Sequence, residues 1–64
     1  MKIVIAYKNR TSDEFDEKQI DCSKLTIRGH TSKIVDAWAT SKSFYAIDNY
    51  NAVNLEEVIS IRVI

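Results

Sequence analysis

The chain has 64 residues with one cysteine, and its nine basic and nine acidic residues give a formal net charge of zero. This length fits a single domain over residues 1–64 with a thin core, because so short a chain buries only ~60% of its unfolded surface. One cysteine excludes an internal disulfide and suits a reducing compartment, which predicts a cytoplasmic location. Zero net charge disfavours bulk duplex nucleic acid or an anionic membrane as partner, and no apolar run approaches the ~20 residues that span a bilayer.

The apolar composition favours strands. Isoleucine and valine together number fourteen, whereas leucine occurs twice. β-Branched side chains fit a pleated surface and lose freedom in helices. We therefore predict a mainly β fold, either a small twisted antiparallel sheet or an SH3-like small barrel, with at most one or two short helical turns.

The first half of the chain is predicted as two strands joined by a turn. Lys2 to Lys8 is apolar on both faces, and residues 9–12 have the polar composition of a turn. Residues 13–28 predict one long strand bent at Ser23-Lys24, where the apolar alternation changes phase. A short helix after Ser12 is the alternative for this segment.

Two interpretations fit the middle of the chain. Residues 29–32, Gly-His-Thr-Ser, predict a break, after which residues 33–40 alternate weakly and lead through a turn into residues 44–47 as a hairpin. The alternative is an α+β fold with a helix at 32–42, because the apolar side chains there also form a helical stripe. We favour the hairpin. Beyond it, Asn54 predicts one capped helical turn, and residues 59–63 alternate as a final strand.

Two stretches resemble a known group of proteins. The first nine residues, Met-Lys-Ile-Val-Ile-Ala-Tyr-Lys-Asn, look like the first strand and turn of short orphan β-proteins of low-GC Gram-positive bacteria and their phages. Residues 52–61, Ala-Val-Asn-Leu-Glu-Glu-Val-Ile-Ser-Ile, are similar to the turn before the last strand in such proteins and in several small barrels. The resemblance covers about a third of the chain. It implies a mobile-element or accessory origin and transfers no functional residue.

The sequence offers no constellation that predicts catalysis, a cofactor or a metal. His30 is the only histidine, and no nearby nucleophile or orienting carboxylate accompanies it, so we expect a loop histidine. Cys22 lies in an apolar alternation, which is typical of a buried structural cysteine. We therefore expect the protein not to be an enzyme.

Three groups of residues are candidate interaction sites. An acidic run with one aromatic anchor is a candidate surface for a protein partner and consists of Asp13, Glu14, Phe15, Asp16 and Glu17. A basic and aromatic set is a candidate for stacking and neutralising single-stranded nucleic acid and consists of Arg28, Lys33, Trp38, Lys42 and Tyr45. Val4 and Ala6, on the second apolar face of the first strand, are a candidate homodimer interface.

These observations lead to two functional hypotheses. We expect a non-enzymatic protein-interaction module, a phage or mobile-element accessory protein that binds a host protein. The alternative is a small single-stranded nucleic-acid-binding β-barrel.

Overall fold

The computed structural model describes all residues, 1–64, as five strands, one α-helix and one 3₁₀ turn. In chain order they are β1 (Lys2–Tyr7), β2 (Ser12–Asp16), α1 (Ile27–Ala39), β3 (Phe44–Ala46), β4 (Ala52–Asn54), the 3₁₀ turn (Leu55–Glu57) and β5 (Val58–Val63). An antiparallel three-stranded sheet has the order β2-β1-β5, and β3 and β4 form a separate antiparallel pair. The fold is therefore antiparallel β with one helix, and the strands form two sheets rather than an SH3-like barrel.

The core lies between one face of the three-stranded sheet and the helix. Ile3 and Ile5 of β1 are fully buried there, and Ile34 of α1 is fully buried opposite them. The β3-β4 pair closes one side of the core through Val53, which is also fully buried. One layer of helix over one sheet face thus protects the apolar groups that a thin sheet would leave exposed.

The segment from 27 to 39 is a helix, so the predicted break at residues 29–32 and the predicted hairpin over residues 33–47 are wrong. The alternative, a helix at 32–42, was right in kind but began five residues too late, since α1 spans Ile27–Ala39. Ile27, His30 and Ile34 share the buried face, with the three- and four-residue spacing of a helix.

The helix begins at Thr26, whose side chain caps it. The Thr26 hydroxyl oxygen accepts a hydrogen bond from the Gly29 N–H at 3.1 Å. Gly29 lies inside the first turn, where an added Cβ would come within 2.6 Å of a Leu25 methyl carbon. The lone glycine therefore serves close packing inside a helix rather than a chain break.

The predicted long strand over residues 13–28 is also wrong, and so is the short helix after Ser12. β2 ends at Asp16, whose side-chain oxygen accepts hydrogen bonds from the N–H groups of Lys18 (2.8 Å) and Gln19 (3.1 Å). These bonds turn the chain away from the sheet. The intervening residues cross to the helix as turns, with Ile20 buried against the core.

The two ends of the chain confirm their predictions. β1 pairs with β2 on one side and β5 on the other, so it is the central strand. The turn before β5 is a single 3₁₀ turn in which the Asn54 side chain accepts a hydrogen bond from the Glu56 N–H at 3.2 Å. β5 then follows as the predicted last strand.

Candidate functional site

A groove runs between α1 and β3. Its cavity volume is about 390 Å³, and its lining residues are Lys33, Asp36, Ala37, Thr40, Lys42, Phe44, Tyr45 and Ala46. The helix contributes one wall and the whole of β3 contributes the other. Phe44 is the most exposed aromatic side chain of the groove, with 65% of its surface accessible.

The groove faces the backbone edge of β3. Successive side chains of a strand point to opposite faces, so a cavity lined by all three residues of β3 must open on the edge of that strand. The other edge of β3 pairs with β4, whose hydrogen bonds flank β3 at the Ser43 carbonyl (3.0 Å from the Leu55 N) and the Ile47 N–H (2.9 Å from the Asn51 O).

Hydrogen bonding in the β3-β4 pair leaves the backbone groups of two β3 residues unpaired on the groove side. An antiparallel ladder bonds alternate residues of a strand to the same neighbour. With Ser43 and Ile47 bonded toward β4, Tyr45 bonds toward β4 as well, and the N–H and C=O groups of Phe44 and Ala46 point into the groove. The groove therefore presents two backbone donors and two backbone acceptors to a ligand.

The electrostatics of the groove favour an anionic ligand. Lys33 and Lys42 lie along it, with Asp36 as its only carboxylate. The only ion pair in the structure joins Lys2 and Glu14 on the three-stranded sheet, so neither groove lysine is neutralised by a carboxylate within ion-pair distance.

The end of the helix fixes the position of Lys42. The Lys42 N–H donates a hydrogen bond to the Ala37 carbonyl at 3.0 Å. The Ser41 N–H donates to the Trp38 carbonyl at 3.1 Å. This is a Schellman arrangement, which closes the helix and turns the chain directly into β3.

The φ angle of Ser41 is 61°, a left-handed conformation that glycine adopts more readily than serine. The strained residue lies at the exposed turn, and Lys42 follows it at the mouth of the groove. The sequence indicates Ser41 only as part of a turn, because no glycine marks the helix end.

The structure brings together part of the predicted nucleic-acid set. Lys33, Lys42 and Tyr45 line the groove. Trp38 instead packs against the core and lines a neighbouring cavity of about 360 Å³, which it shares with Lys42. Arg28 lines neither cavity and is exposed on α1. Phe44 was missed as a site residue, although a large apolar side chain beside a predicted turn is a recognisable signal.

The acidic run lacks its predicted aromatic anchor. Phe15 is 8% exposed and belongs to the core, whereas binding of a partner by the carboxylates of the run stays a prediction. Asp13 accepts a hydrogen bond from the Tyr7 hydroxyl at 2.7 Å. Burial is the larger cause that raises the pKa of Tyr7, and this hydrogen bond raises it further.

The other carboxylates of this run have different partners. Glu14 pairs with Lys2 across the sheet, and Asp16 closes the turn after β2. Glu17 is exposed in that turn. Alternation along β2 places Asp13 on one face and Glu14 and Asp16 on the other, so the run is divided between the two faces of the sheet.

His30 lies on the helix rather than in a loop. It is 5% exposed, and its Nε2 lies 2.9 Å from the Asp21 carbonyl oxygen, so Nε2 carries the proton and donates. Its Nδ1 is buried without a hydrogen-bond partner. The imidazole therefore ties the loop before α1 to the helix, and it is absent from the groove lining.

Cys22 is half-buried beside the core. Burial raises the pKa of its thiol, and the charges of Glu17 and Asp21 raise it further. A thiol in this setting is a weak nucleophile at neutral pH. No group of three or more histidine, cysteine or acidic side chains is placed to hold a metal ion.

Val4 and Ala6 lie on the outer face of the sheet. Val4 is 6% exposed and sits in register between Glu14 of β2 and Arg62 of β5. Ala6 is half-buried between Ser12 and a serine of β5. This face offers little apolar surface to a second copy, and the homodimer itself stays a prediction.

No protein-family model, curated protein or solved structure matches this chain. The resemblance to phage and Gram-positive proteins therefore stays a prediction. No helix in the structure combines the length and the apolar character that crossing a membrane requires.

Proposed function

We propose that the protein is a non-enzymatic protein-interaction module that binds an extended, acidic segment of a partner protein in the groove between α1 and β3. The observation that carries this proposal is the free backbone edge of β3, which lies open inside a groove bordered by unneutralised lysines. Binding by strand addition uses the main chain for affinity and neighbouring pockets for specificity.

The backbone edge supplies the first part of the recognition. Phe44 and Ala46 can make roughly four hydrogen bonds to an added strand, each contributing about 1 kcal/mol net. The three residues of β3 limit the added strand to a short segment. Once apolar contacts are included, we expect dissociation constants in the micromolar range. Such constants correspond to a binding free energy of about −8 kcal/mol.

The side chains of the groove supply the second part. Phe44 exposes an aromatic surface on which an apolar residue of the ligand can pack. Lys33 and Lys42 favour carboxylates in the ligand, and Asp36 disfavours a purely polyanionic one. The Thr40 hydroxyl donates to the Asp36 carbonyl at 3.0 Å, so it stabilises the helix end.

A role as a phage or mobile-element accessory protein that acts on a host protein in the cytoplasm belongs to the same proposal. It rests on the resemblance of the two ends of the chain. The genes that flank its coding sequence test this origin.

Single-stranded nucleic acid is the second candidate ligand, favoured by Lys33, Lys42 and Tyr45 meeting in one groove. Two lysines neutralise few phosphates, so the slope of log affinity against log salt would be about −1.4. Together with the zero net charge, this predicts weaker binding to an oligonucleotide than to an acidic peptide.

Fluorescence anisotropy with a labelled peptide of alternating glutamate and valine tests the proposal. We expect saturable binding that weakens at least tenfold in Lys33→Glu and in Lys42→Glu. Lys8→Glu, an equal charge change at an exposed residue outside the groove, is the matched control and should bind as the unaltered protein does.

Two results would count against peptide binding. One is equal binding of a peptide with lysine in place of glutamate. The other is tighter binding of oligothymidine with a steep salt dependence, which would favour the nucleic-acid candidate.

A further inference from the structure

β5 has a free backbone edge. It pairs with β1 alone in the three-stranded sheet. Lys2 and Ile64 exchange two backbone hydrogen bonds, of 2.8 and 2.9 Å. Alternate residues of an antiparallel strand bond to the same neighbour, so Arg62 also bonds toward β1. The N–H and C=O groups of Ile61 and Val63 therefore point away from β1, and no hydrogen bond outside the ladder involves either residue.

The side chains beside this edge are apolar. Ile59 is 57% exposed, and Ile61 and Val63 are half-buried. Arg62 is the only charged residue of β5. A free strand edge of this composition is a ready template for pairing with another strand.

The opposite edge of the sheet is protected. β2 carries Asp13, Glu14 and Asp16. The Asp16 N–H, which would point outward, donates to the Gln19 side-chain oxygen at 2.9 Å. Charges and an occupied donor are devices that prevent pairing at an edge. β5 carries one charge, Arg62, and a bulge at Ile59, but the outward N–H groups of Ile61 and Val63 donate to no side chain.

We propose that the β5 edge pairs antiparallel with β5 of a second copy, so that two three-stranded sheets join into one continuous sheet. A two-fold axis at Ile61 places Ile59 opposite Val63 of the other copy, and Ser60 opposite Arg62. This register matches apolar groups with apolar groups, and the outward N–H and C=O groups of the two Ile61 residues exchange two backbone hydrogen bonds at the axis.

The competing arrangements are less favourable. An axis at Arg62 would place two arginines directly opposite each other, and like charges in that position repel. Pairing β5 with β2 of another copy would meet the donor already taken by Gln19. That arrangement would also be head-to-tail, which leads to open chains rather than a closed dimer.

The dimer does not depend on the proposed function. No residue of β5 lines the groove, so both grooves stay open in the pair. A single strand pair buries less than the ~1,200 Å² of a standard interface, and we expect a dimer that dissociates in the micromolar range.

Sedimentation velocity from about 5 to about 500 µM tests the dimer, because mass action makes it depend on concentration. We expect Ile59→Lys to weaken dimerisation at least tenfold. Val35→Lys is the matched control: Val35 is 42% exposed on α1, and its substitution should leave the dimer unchanged. A monomer throughout this range, or equal dimerisation by Ile59→Lys, would overturn the proposal.

Amide hydrogen exchange keeps the test decisive if Ile59→Lys fails to fold. In the unaltered protein, the amides of Ile61 and Val63 should exchange at least several-fold more slowly at the high concentration than at the low one. Equal exchange of these two amides at both concentrations would overturn the proposal.

Discussion

Replacing Ser41 by glycine should stabilise the protein. Ser41 has a φ of 61° at the end of α1, where the left-handed conformation costs a residue with a Cβ about 1–2 kcal/mol. Glycine removes this cost but adds about 0.4–1 kcal/mol of chain entropy to the unfolded state. We expect a net gain in the free energy of unfolding of about 0.5–1 kcal/mol, which raises the melting temperature by roughly 2–8 °C.

Thermal and urea unfolding followed by circular dichroism measure this change. Ser32→Gly is the matched control, because Ser32 is exposed inside the same helix. Glycine in a helix interior should lower the free energy of unfolding by about 0.5 kcal/mol relative to serine. Equal destabilisation by both substitutions would refute the left-handed helix end.

Three further predictions concern the turn between β1 and β2, the Tyr7 hydroxyl and the Cys22 thiol. Arg10 has a φ of 68° in the β1-β2 turn, so Arg10→Gly should raise the melting temperature, and a lower value would contradict the turn geometry. Burial and the bond to Asp13 raise the pKa of Tyr7 in the folded state. The protonated Tyr7 hydroxyl therefore contributes its full stabilisation below pH ~10, and this contribution is lost as the pH rises toward the folded-state pKa. Tyr7→Phe should therefore be less stable at neutral pH and lose less stability in alkali, as urea unfolding at both pH values would show. The pKa of Cys22 is raised by burial and nearby carboxylates, so iodoacetamide should alkylate it more slowly than it alkylates cysteine in an unfolded peptide.

The strands at both ends of the chain could be predicted because their local signals agree with their surroundings. Residues 2–7 are apolar on both faces, as a central strand requires, and residues 59–63 alternate. Asn54 indicated the helical turn before β5 because its cap is made by a neighbour in sequence.

The helix could not be chosen over the hairpin from the sequence because its start lacks the usual markers. Thr26 is its cap, but Gly29 and His30 in the first turn resemble a break. His30 is buried through a bond to the distant Asp21 carbonyl, and Gly29 packs against Leu25. The burial of His30 depends on a contact outside the helix, and such contacts override local propensity.

The groove could be predicted only in part for the same reason. Lys33, Lys42 and Tyr45 were singled out by residue type, and the fold brings them together. The free edge of β3 is a property of strand pairing, which single residues do not reveal. The expectation of an exposed Phe15 anchor was wrong, because alternation along β2 directs its side chain toward the core.

An amide chemical-shift titration with the glutamate–valine peptide tests strand addition at the groove most directly. We expect the amides of Phe44 and Ala46 to shift most and to become protected from exchange, because their N–H groups face the groove. The Tyr45 amide, which faces β4, should shift less. Binding that leaves Phe44 and Ala46 unshifted, with the largest changes on β2 or the outer sheet face, would contradict the account.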